Sequence, residues 1–241
     1  MIKSKKSLGQ NFLIDTNICK KIIKETSIKN KIVLEIGPGF GQLTDLILKN
    51  KPKKLYLIEK DTQLSKLITE KYKDNKLVTI LNKDALDINY FGFHKFTLIS
   101  NLPYNLSVKI ILLLFNYHSN ITEMILMVQK EVSLKFDYNF IGMNKYKFLT
   151  KLLFKYKRCF NVPNTVFKPK PKVVSTIVKF SKRNKLVDLK KANNFSVLIF
   201  NNKRKKINNK IKIEKLYKNK IMDKRVDQLS INELLYIYDF F

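Results

Sequence analysis

The chain has 241 residues, with 48 Lys and Arg against 19 Asp and Glu, a net charge of +29, 45% apolar side chains and two cysteines. That balance suits one large domain, or one domain with a small appendage, and it excludes bulk disorder, a disulfide framework and a four-ligand cysteine zinc site. The longest apolar run, Ile110–Phe115, is far too short to span a bilayer, and no long apolar segment follows the basic stretch Met1–Lys6. A soluble, cytoplasmic protein of a reducing compartment, with no membrane association, no signal peptide and no metal centre, is therefore expected. Only four of the basic residues are arginine, and Lys, Asn and Ile crowd the chain, a bias that AT-rich codons also produce. A field this positive nevertheless favours a polyanionic partner, nucleic acid above all.

Residues 31–36 read as a buried strand that ends in a glycine-rich turn, and 42–49 read as a helix. A strand over 53–58 and a helix over 61–72 follow. Further strands are predicted at 77–81, 95–100 and 122–128, with an apolar helix at 106–117. Strands alternating with helices imply a parallel sheet covered on both faces. Residues 150–160 and 173–180 read as two more strands, joined by an extended proline-rich loop, Phe167–Pro171. Beyond Ser181 there are no prolines or glycines, and helices are predicted over 189–201, 203–220 and 230–238. Residues 182–241 hold 16 basic and 6 acidic side chains. The division expected is an α/β domain over 1–181 and a small, basic helical domain over 182–241.

Three motifs carry chemistry. The first is Glu35-Ile36-Gly37-Pro38-Gly39-Phe40-Gly41, between a strand and a helix. Glycines there let the backbone approach a ligand, and the helix start offers free N–H groups. Glu59, at the end of the second strand, can take both hydroxyls of a ribose. The pair points to a nucleoside-bearing cofactor, with a glycine spacing unlike that of dinucleotide sites. The second is Asp84, after the third strand, where a carboxylate can accept from an adenine amino group. The third is Asn101-Leu102-Pro103-Tyr104, past the fourth strand. An exocyclic amine on a base is a poor nucleophile because its lone pair is delocalised. Acceptors from the Asn101 side chain and the Leu102 carbonyl would hold that nitrogen in line with an electrophilic methyl, and Tyr104 can stack on the base.

With Leu8-Gly9-Gln10-Asn11-Phe12-Leu13, Gln129-Lys130-Glu131-Val132, Val166–Val173 and Phe200–Lys206 added to these motifs, the chain resembles the ribosomal RNA adenine N6,N6-dimethyltransferases across almost its whole length. The resemblance implies a Rossmann-like class I methyltransferase sheet with a small helical C-terminal domain. It implies S-adenosylmethionine as cofactor and two adjacent adenosines in the 3′-terminal hairpin of small-subunit rRNA as target. The expected partner is the immature small ribosomal subunit, and the expected state is a monomer. By the same resemblance, Asn11, Leu13, Gly37, Gly39, Glu59, Asp84 and Asn101 would hold the cofactor. Asn101 and Leu102 would face the transfer centre, Tyr104 and Phe167 would sandwich the adenine, and Lys203, Arg204, Lys205 and Lys206 would meet RNA phosphates. Methyl transfer asks little of an acid or base, so His94 and His118 read as ordinary residues.

The chain departs from the family's pattern at Lys145–Thr150, where a Tyr-Gly-Arg-Leu-Ser-like stretch is usual. The loop from Asp137 to Asn144 is short. Rival readings are a large-subunit rRNA adenine methylase, which commonly has Ile where Leu102 stands, a non-catalytic ribosome-assembly factor on the same fold, and a nicotinamide oxidoreductase. Leu102, the Phe167 segment and the basic C-terminal cluster fit the small-subunit enzyme better than the large-subunit one; the retained Gly37, Gly39, Glu59, Asp84 and Asn101 argue against a non-catalytic factor, and the glycine spacing with the Asn-Leu-Pro-Tyr element argues against an oxidoreductase.

Overall fold

A computed structural model of the 241-residue chain describes residues 5, 8–202, 204–216 and 219–241. It divides into two compact units, one of residues 1–133 and 157–182, the other of 134–156 and 183–241. The second unit thus takes in 134–156 as well as the stretch beyond 182.

Among the described residues, the first unit is built on a seven-stranded sheet. In chain order its elements are β1 (Phe12–Leu13), α1 (Thr16–Lys24), β2 (Ile32–Ile36), α2 (Gln42–Lys49), β3 (Lys54–Ile58), α3 (Thr62–Tyr72) and β4 (Val78–Leu81). These are followed by β5 (Phe96–Asn101), α4 (Ser107–Phe115), β6 (Ile121–Gln129) and, after an excursion into the second unit, β7 (Phe154–Val162), β8 (Phe167–Lys168) and β9 (Ser175–Lys182). The strand order is β4-β3-β2-β5-β6-β9-β7. The pairs β2–β3, β3–β4, β2–β5 and β5–β6 are parallel, and β6–β9 is antiparallel. The order reverses between β2 and β5, which is where open α/β sheets place their ligand crevice.

The apolar runs Ile-Val-Leu-Glu-Ile and Phe-Thr-Leu-Ile-Ser-Asn suit central strands covered on both faces. On one face Val33, Leu55, Leu57, Ile99, Ile125 and Met127 share a core with Cys19 and Ile22 of α1, Ile47 of α2 and Ile68 of α3. On α4, the Phe115 ring meets Phe180 of β9 with centroids 5.9 Å apart. Each such aliphatic side chain contributes about 1.5–3 kcal/mol through burial, so truncating Ile47 to alanine costs roughly 2–5 kcal/mol. Helix α1 starts where the Asp15 carboxylate accepts from the Asn17 and Ile18 amides.

The second unit contains α5's last turn (α5, Lys130–Phe136), α6 (Lys145–Leu153), α7 (Leu189–Phe200) and α8 (Ile231–Phe240). Phe148, Phe195 and Tyr238 bring the last three together, with ring centroids 5.1 to 5.4 Å apart. Residues 150–153, predicted as strand, are the end of α6. The Asn144 side chain caps the Tyr146 and Lys147 amides and commits the segment to helix, with Phe148, Leu149, Leu152 and Leu153 buried. The helix predicted over 203–220 does not form in its described part. Short 3-10 turns stand at 207–209, 214–216 and 220–223 instead, in a segment whose asparagines favour turns and caps. Among the described residues, no helix is long and apolar enough to cross a membrane.

Candidate active site

A cleft opens at the carboxyl ends of β2, β3 and β5, wholly within the first unit. Its floor is the turn after β2. The Gly37 amide donates to the Ile58 carbonyl at 2.9 Å, which ties the turn to the end of β3. Gly37 and Gly39 both take left-handed backbone angles, φ +67° and +57°. A Cβ on Gly39 would stand 2.8 Å from the Phe12 ring, so glycine is needed there for space as well as for φ.

Glu59 ends the second wall. Its side chain lines the cleft and only 6% of the residue is exposed. One carboxylate oxygen accepts from the Gly39 amide at 3.4 Å and the other from the Asp61 amide at 2.9 Å. Burial pushes the carboxyl above its ordinary range, against the opposite pull of these amides. Each oxygen keeps a second acceptor position, which suits a vicinal diol. Asp84 lies beside it in the lining. One of its oxygens caps the turn at 85–87 by accepting from the Leu86 amide at 2.9 Å, and the other meets the Lys60 ammonium at 2.6 Å. Burial opposes ionisation, but these two partners outweigh it and hold the Asp84 carboxyl below its ordinary value.

Asn101, the last residue of β5, is fixed through one end of its amide. Its Nδ2 donates to the Asn11 carbonyl at 2.9 Å, while its Oδ1 is buried with no hydrogen-bond partner among the described residues. A buried acceptor without a donor costs about 1–3 kcal/mol. Held in a ligand cleft, it is ready for an incoming N–H. Leu102 follows, its amide bonded to the Met127 carbonyl at 3.2 Å and its side chain buried. Tyr104 is half-buried. Its hydroxyl shares a hydrogen bond with Ser175 Oγ at 2.5 Å, and burial raises the phenol's pKa despite Ser175.

The structure therefore gathers Asn11, Leu13, Gly37, Gly39, Glu59, Asp84 and Asn101 around one cleft. It does not bring Phe167 to that lining. Phe167 is 4% exposed and belongs to the core beside Leu13, with which it pairs in the β1–β8 ribbon, so in this state its ring cannot stack on a base. Lys203 lies outside the described residues. Arg204, Lys205 and Lys206 are exposed in the second unit, with Lys206 Nζ 3.6 Å from Asp223. Among the described residues, no group of three or more His, Cys, Asp or Glu could hold a metal ion.

Two features of the site escaped the sequence reading. One is the burial of Glu35, the first residue of the glycine-turn motif, at the cleft floor. Thr44 donates to it at 2.7 Å, and burial pushes its carboxyl up to about 8. The other is the tie between the strap Leu8–Leu13 and α3, made by the Gln10 side chain reaching Asp61 at 3.1 Å. Such a contact, across 51 residues of chain, leaves no mark in local spacing.

A positive-φ cradle, a two-oxygen acceptor for a diol, an acid at the far wall and a lone buried amide oxygen fit S-adenosylmethionine. The comparisons with known proteins agree. The family profile described as ribosomal RNA adenine dimethylase matches residues 1–241. A ribosomal RNA small subunit methyltransferase A from Hydrogenobaculum sp. is 33% identical over 246 residues, which cover 99% of this chain and 94% of that protein. A solved dimethyladenosine transferase from Plasmodium falciparum superposes with a TM-score of 0.79 at 25% identity, over 95% of this chain and 100% of that one. The solved 23S rRNA methyltransferase ErmE shares the fold with a TM-score of 0.77 at 21% identity, over 95% and 98%. The chain belongs to the ribosomal RNA adenine dimethylase family, S-adenosylmethionine-dependent enzymes that methylate adenine in ribosomal RNA.

Proposed function

We propose that this enzyme dimethylates N6 of two adjacent adenosines in the 3′-terminal hairpin loop of small-subunit rRNA. In this reading it acts as a monomer, in the cytoplasm, on the immature small ribosomal subunit, with a role in subunit biogenesis. The observation that carries the reading is the buried, unpartnered Oδ1 of Asn101 at the end of β5. S-adenosylmethionine, when bound, supplies an electrophilic methyl on a sulfonium. The remaining work falls to this chain. Gly37 and Gly39 let the backbone close on the cofactor, Glu59 accepts from its ribose and Asp84 from its adenine, and Asn11 and Leu13 cover it. Asn101 Oδ1 and the Leu102 carbonyl accept the two N6 hydrogens of the target, which draws the nitrogen lone pair out of conjugation and aims it along the transfer line. Tyr104, its hydroxyl anchored by Ser175, supports one face of the base. Phe167 supports the other once it is uncovered. The product ammonium is acidic enough to lose its proton to water, so positioning and dipole placement supply the catalysis.

The RNA-docking surface of this reading is the exposed basic turn Arg204, Lys205 and Lys206, together with Lys203, in the helical domain. Lysine and arginine contacts to phosphate make binding strongly salt-dependent. The test is methyl transfer from labelled S-adenosylmethionine to small subunits that lack these modifications, with products mapped by mass spectrometry. Dimethyladenosine in the 3′-terminal hairpin is the expected result. Label in large-subunit rRNA alone, or tight subunit binding without transfer, would overturn the proposal.

A further inference from the structure

The strap Leu8–Leu13 forms one wall of the cleft and is held at both ends. At its far end β1 pairs antiparallel with β8, Phe12 opposite Lys168 and Leu13 opposite Phe167. The Ile14 amide extends that ribbon by donating to the Val166 carbonyl at 3.0 Å. In the middle the Asn11 carbonyl accepts from Asn101, and the Phe12 ring meets Phe40 edge-on at 4.6 Å. At its near end stands Asp61, whose side chain is fully buried.

The two oxygens of Asp61 do different work. Oδ1 accepts from the Gln63 amide at 2.9 Å and caps α3. Oδ2 serves the strap. It accepts from Gln10 Nε2 at 3.1 Å and pairs with the Lys5 ammonium at 2.9 Å. The Lys5 amide in turn donates to Gln10 Oε1 at 2.7 Å, so the three residues form a closed ring of contacts. A helix cap needs only the first oxygen. The second is a buried anionic anchor, and it is the only ionic fastening that the described part of the strap region makes.

We propose that Asp61 is a positioning residue for methyl transfer. Through Oδ2 it latches the N-terminal strap shut over the cofactor cleft, and through the β1–β8 ribbon the same latch keeps Phe167 covered until the target base arrives. The physical basis is connectivity. Lifting the strap to admit or release a cofactor breaks the Asp61 contacts and loads the Leu13–Phe167 pair, and uncovering Phe167 loads the strap in return. Cofactor retention and presentation of the base-stacking ring are then two readings of one opening. The second half rests on Phe167 as a base-stacking residue.

Asp61→Asn separates the two duties. Its amide oxygen still caps α3, since Asn caps as well as Asp. Its NH₂ group now faces the Gln10 NH₂ and the Lys5 ammonium, so the latch is lost. Hydrogen exchange of the cofactor-free protein is the first readout. Amides of residues 8–14 and 166–168 are expected to exchange about tenfold faster in Asp61→Asn, with α3 unchanged. The second readout is the release rate of S-adenosylmethionine, expected to rise about tenfold in Asp61→Asn, and to be accelerated by KCl in the wild type but not in the variant. Unchanged exchange in 8–14 would overturn the latch. Faster exchange in 8–14 with 166–168 unaffected would overturn the coupling to Phe167. If α3 also loosens, Lys5→Met with Gln10→Met, which leaves the cap intact, decides the matter. The same acceleration there supports the latch, and none overturns it. Failure of the stacking role itself shows elsewhere, as undiminished transfer by Phe167→Ala.

Discussion

Replacing Asn101 with alanine removes two interactions of different kinds, and the geometry says how large each loss is. The Nδ2 bond to the Asn11 carbonyl, 2.9 Å long, fastens the strap. Its net worth is about 1 kcal/mol, so the cofactor dissociation constant is expected to rise about fivefold. The Oδ1 acceptor has no hydrogen-bond partner among the described residues, and in the proposed function its partner is the reacting amine. Interactions confined to the transition state act on turnover, and loss of one preorganised dipole at the reacting centre costs about 10²–10³ in rate. Asn101→Ala should therefore keep most of its cofactor affinity and lose transfer. Asn101→Asp makes the contrast. It keeps an acceptor but sets a carboxylate against the Asn11 carbonyl, so cofactor binding should suffer more than in the alanine variant. Equilibrium dialysis gives the affinity, and single-turnover transfer at saturating cofactor gives the chemical step. A single-turnover rate for Asn101→Ala within about threefold of wild type would refute the reasoning and leave Asn101 as a strap fastener alone.

Glu59→Ala leaves the Gly39 and Asp61 amides without their shared acceptor. It should raise the cofactor dissociation constant at least about tenfold, with the single-turnover rate at saturation little changed; an unaltered constant would count against the ribose contact. Gly39→Ala places a Cβ 2.8 Å from Phe12 at φ +57°, so thermal stability and cofactor affinity should both fall. A companion Phe12→Ala should restore the steric part but not the roughly 1–2 kcal/mol backbone part, and full restoration would deny the backbone cost. Glu35 has its carboxyl raised from 4.5 to about 8 by burial, so between those pH values the folded state binds a proton that the unfolded state releases, and stability falls as pH rises. Glu35→Gln should gain stability relative to wild type as pH climbs through that window; melting curves that stay parallel would contradict the assignment.

The cleft could be read from the sequence because its parts sit at fixed offsets from strand ends. Apolar runs such as Ile32–Ile36 and Phe96–Ile99 suit buried strands, and a glycine turn, Glu59, Asp84 and Asn101 each stand at or just past the end of a strand. Parallel order then carries all of them to one edge of the sheet. What stayed hidden depended on contacts across long sequence distances. Gln10 meets Asp61 across 51 residues and Asn101 meets Asn11 across 90, and neither spacing has a local signature. Phe167 could be picked out as an aromatic in a proline-rich loop, but its burial beside Leu13 depends on the β1–β8 ribbon, two residues long on each side. Residues 150–153 differ from the strand expected over 150–160 because so short a stretch, Thr-Lys-Leu-Leu, fits strand and helix alike. The deciding signal was the Asn144 cap, which lies outside the run. At 203–220 the same ambiguity ran the other way, and the asparagines decided for turns.

The charge of the chain sets a problem that the cleft resolves. A surface at +29 draws in RNA, yet the donor is a sulfonium carrying net positive charge, which that surface repels. Salt screens exposed charges beyond about 8–10 Å, so the contest is decided by groups within the cleft. There Glu59 and Asp84 stand with their carboxylates braced, Glu59 by two backbone amides and Asp84 by an amide and Lys60. Bracing matters, because burial drives a carboxyl toward its protonated form, as it does at Glu35, where the single Thr44 donor does not prevent a rise to about 8. In the proposed function the same carboxylates would also discriminate between donor and spent cofactor. Transfer removes the sulfonium charge, so their hold on the product is weaker by one unit of charge than their hold on the donor. Lys60 and Lys83 line the cleft as well, so the carboxylates of Glu59 and Asp84 leave it near neutral inside a basic protein, and in the proposed function that local relief from repulsion is what lets the cationic donor load.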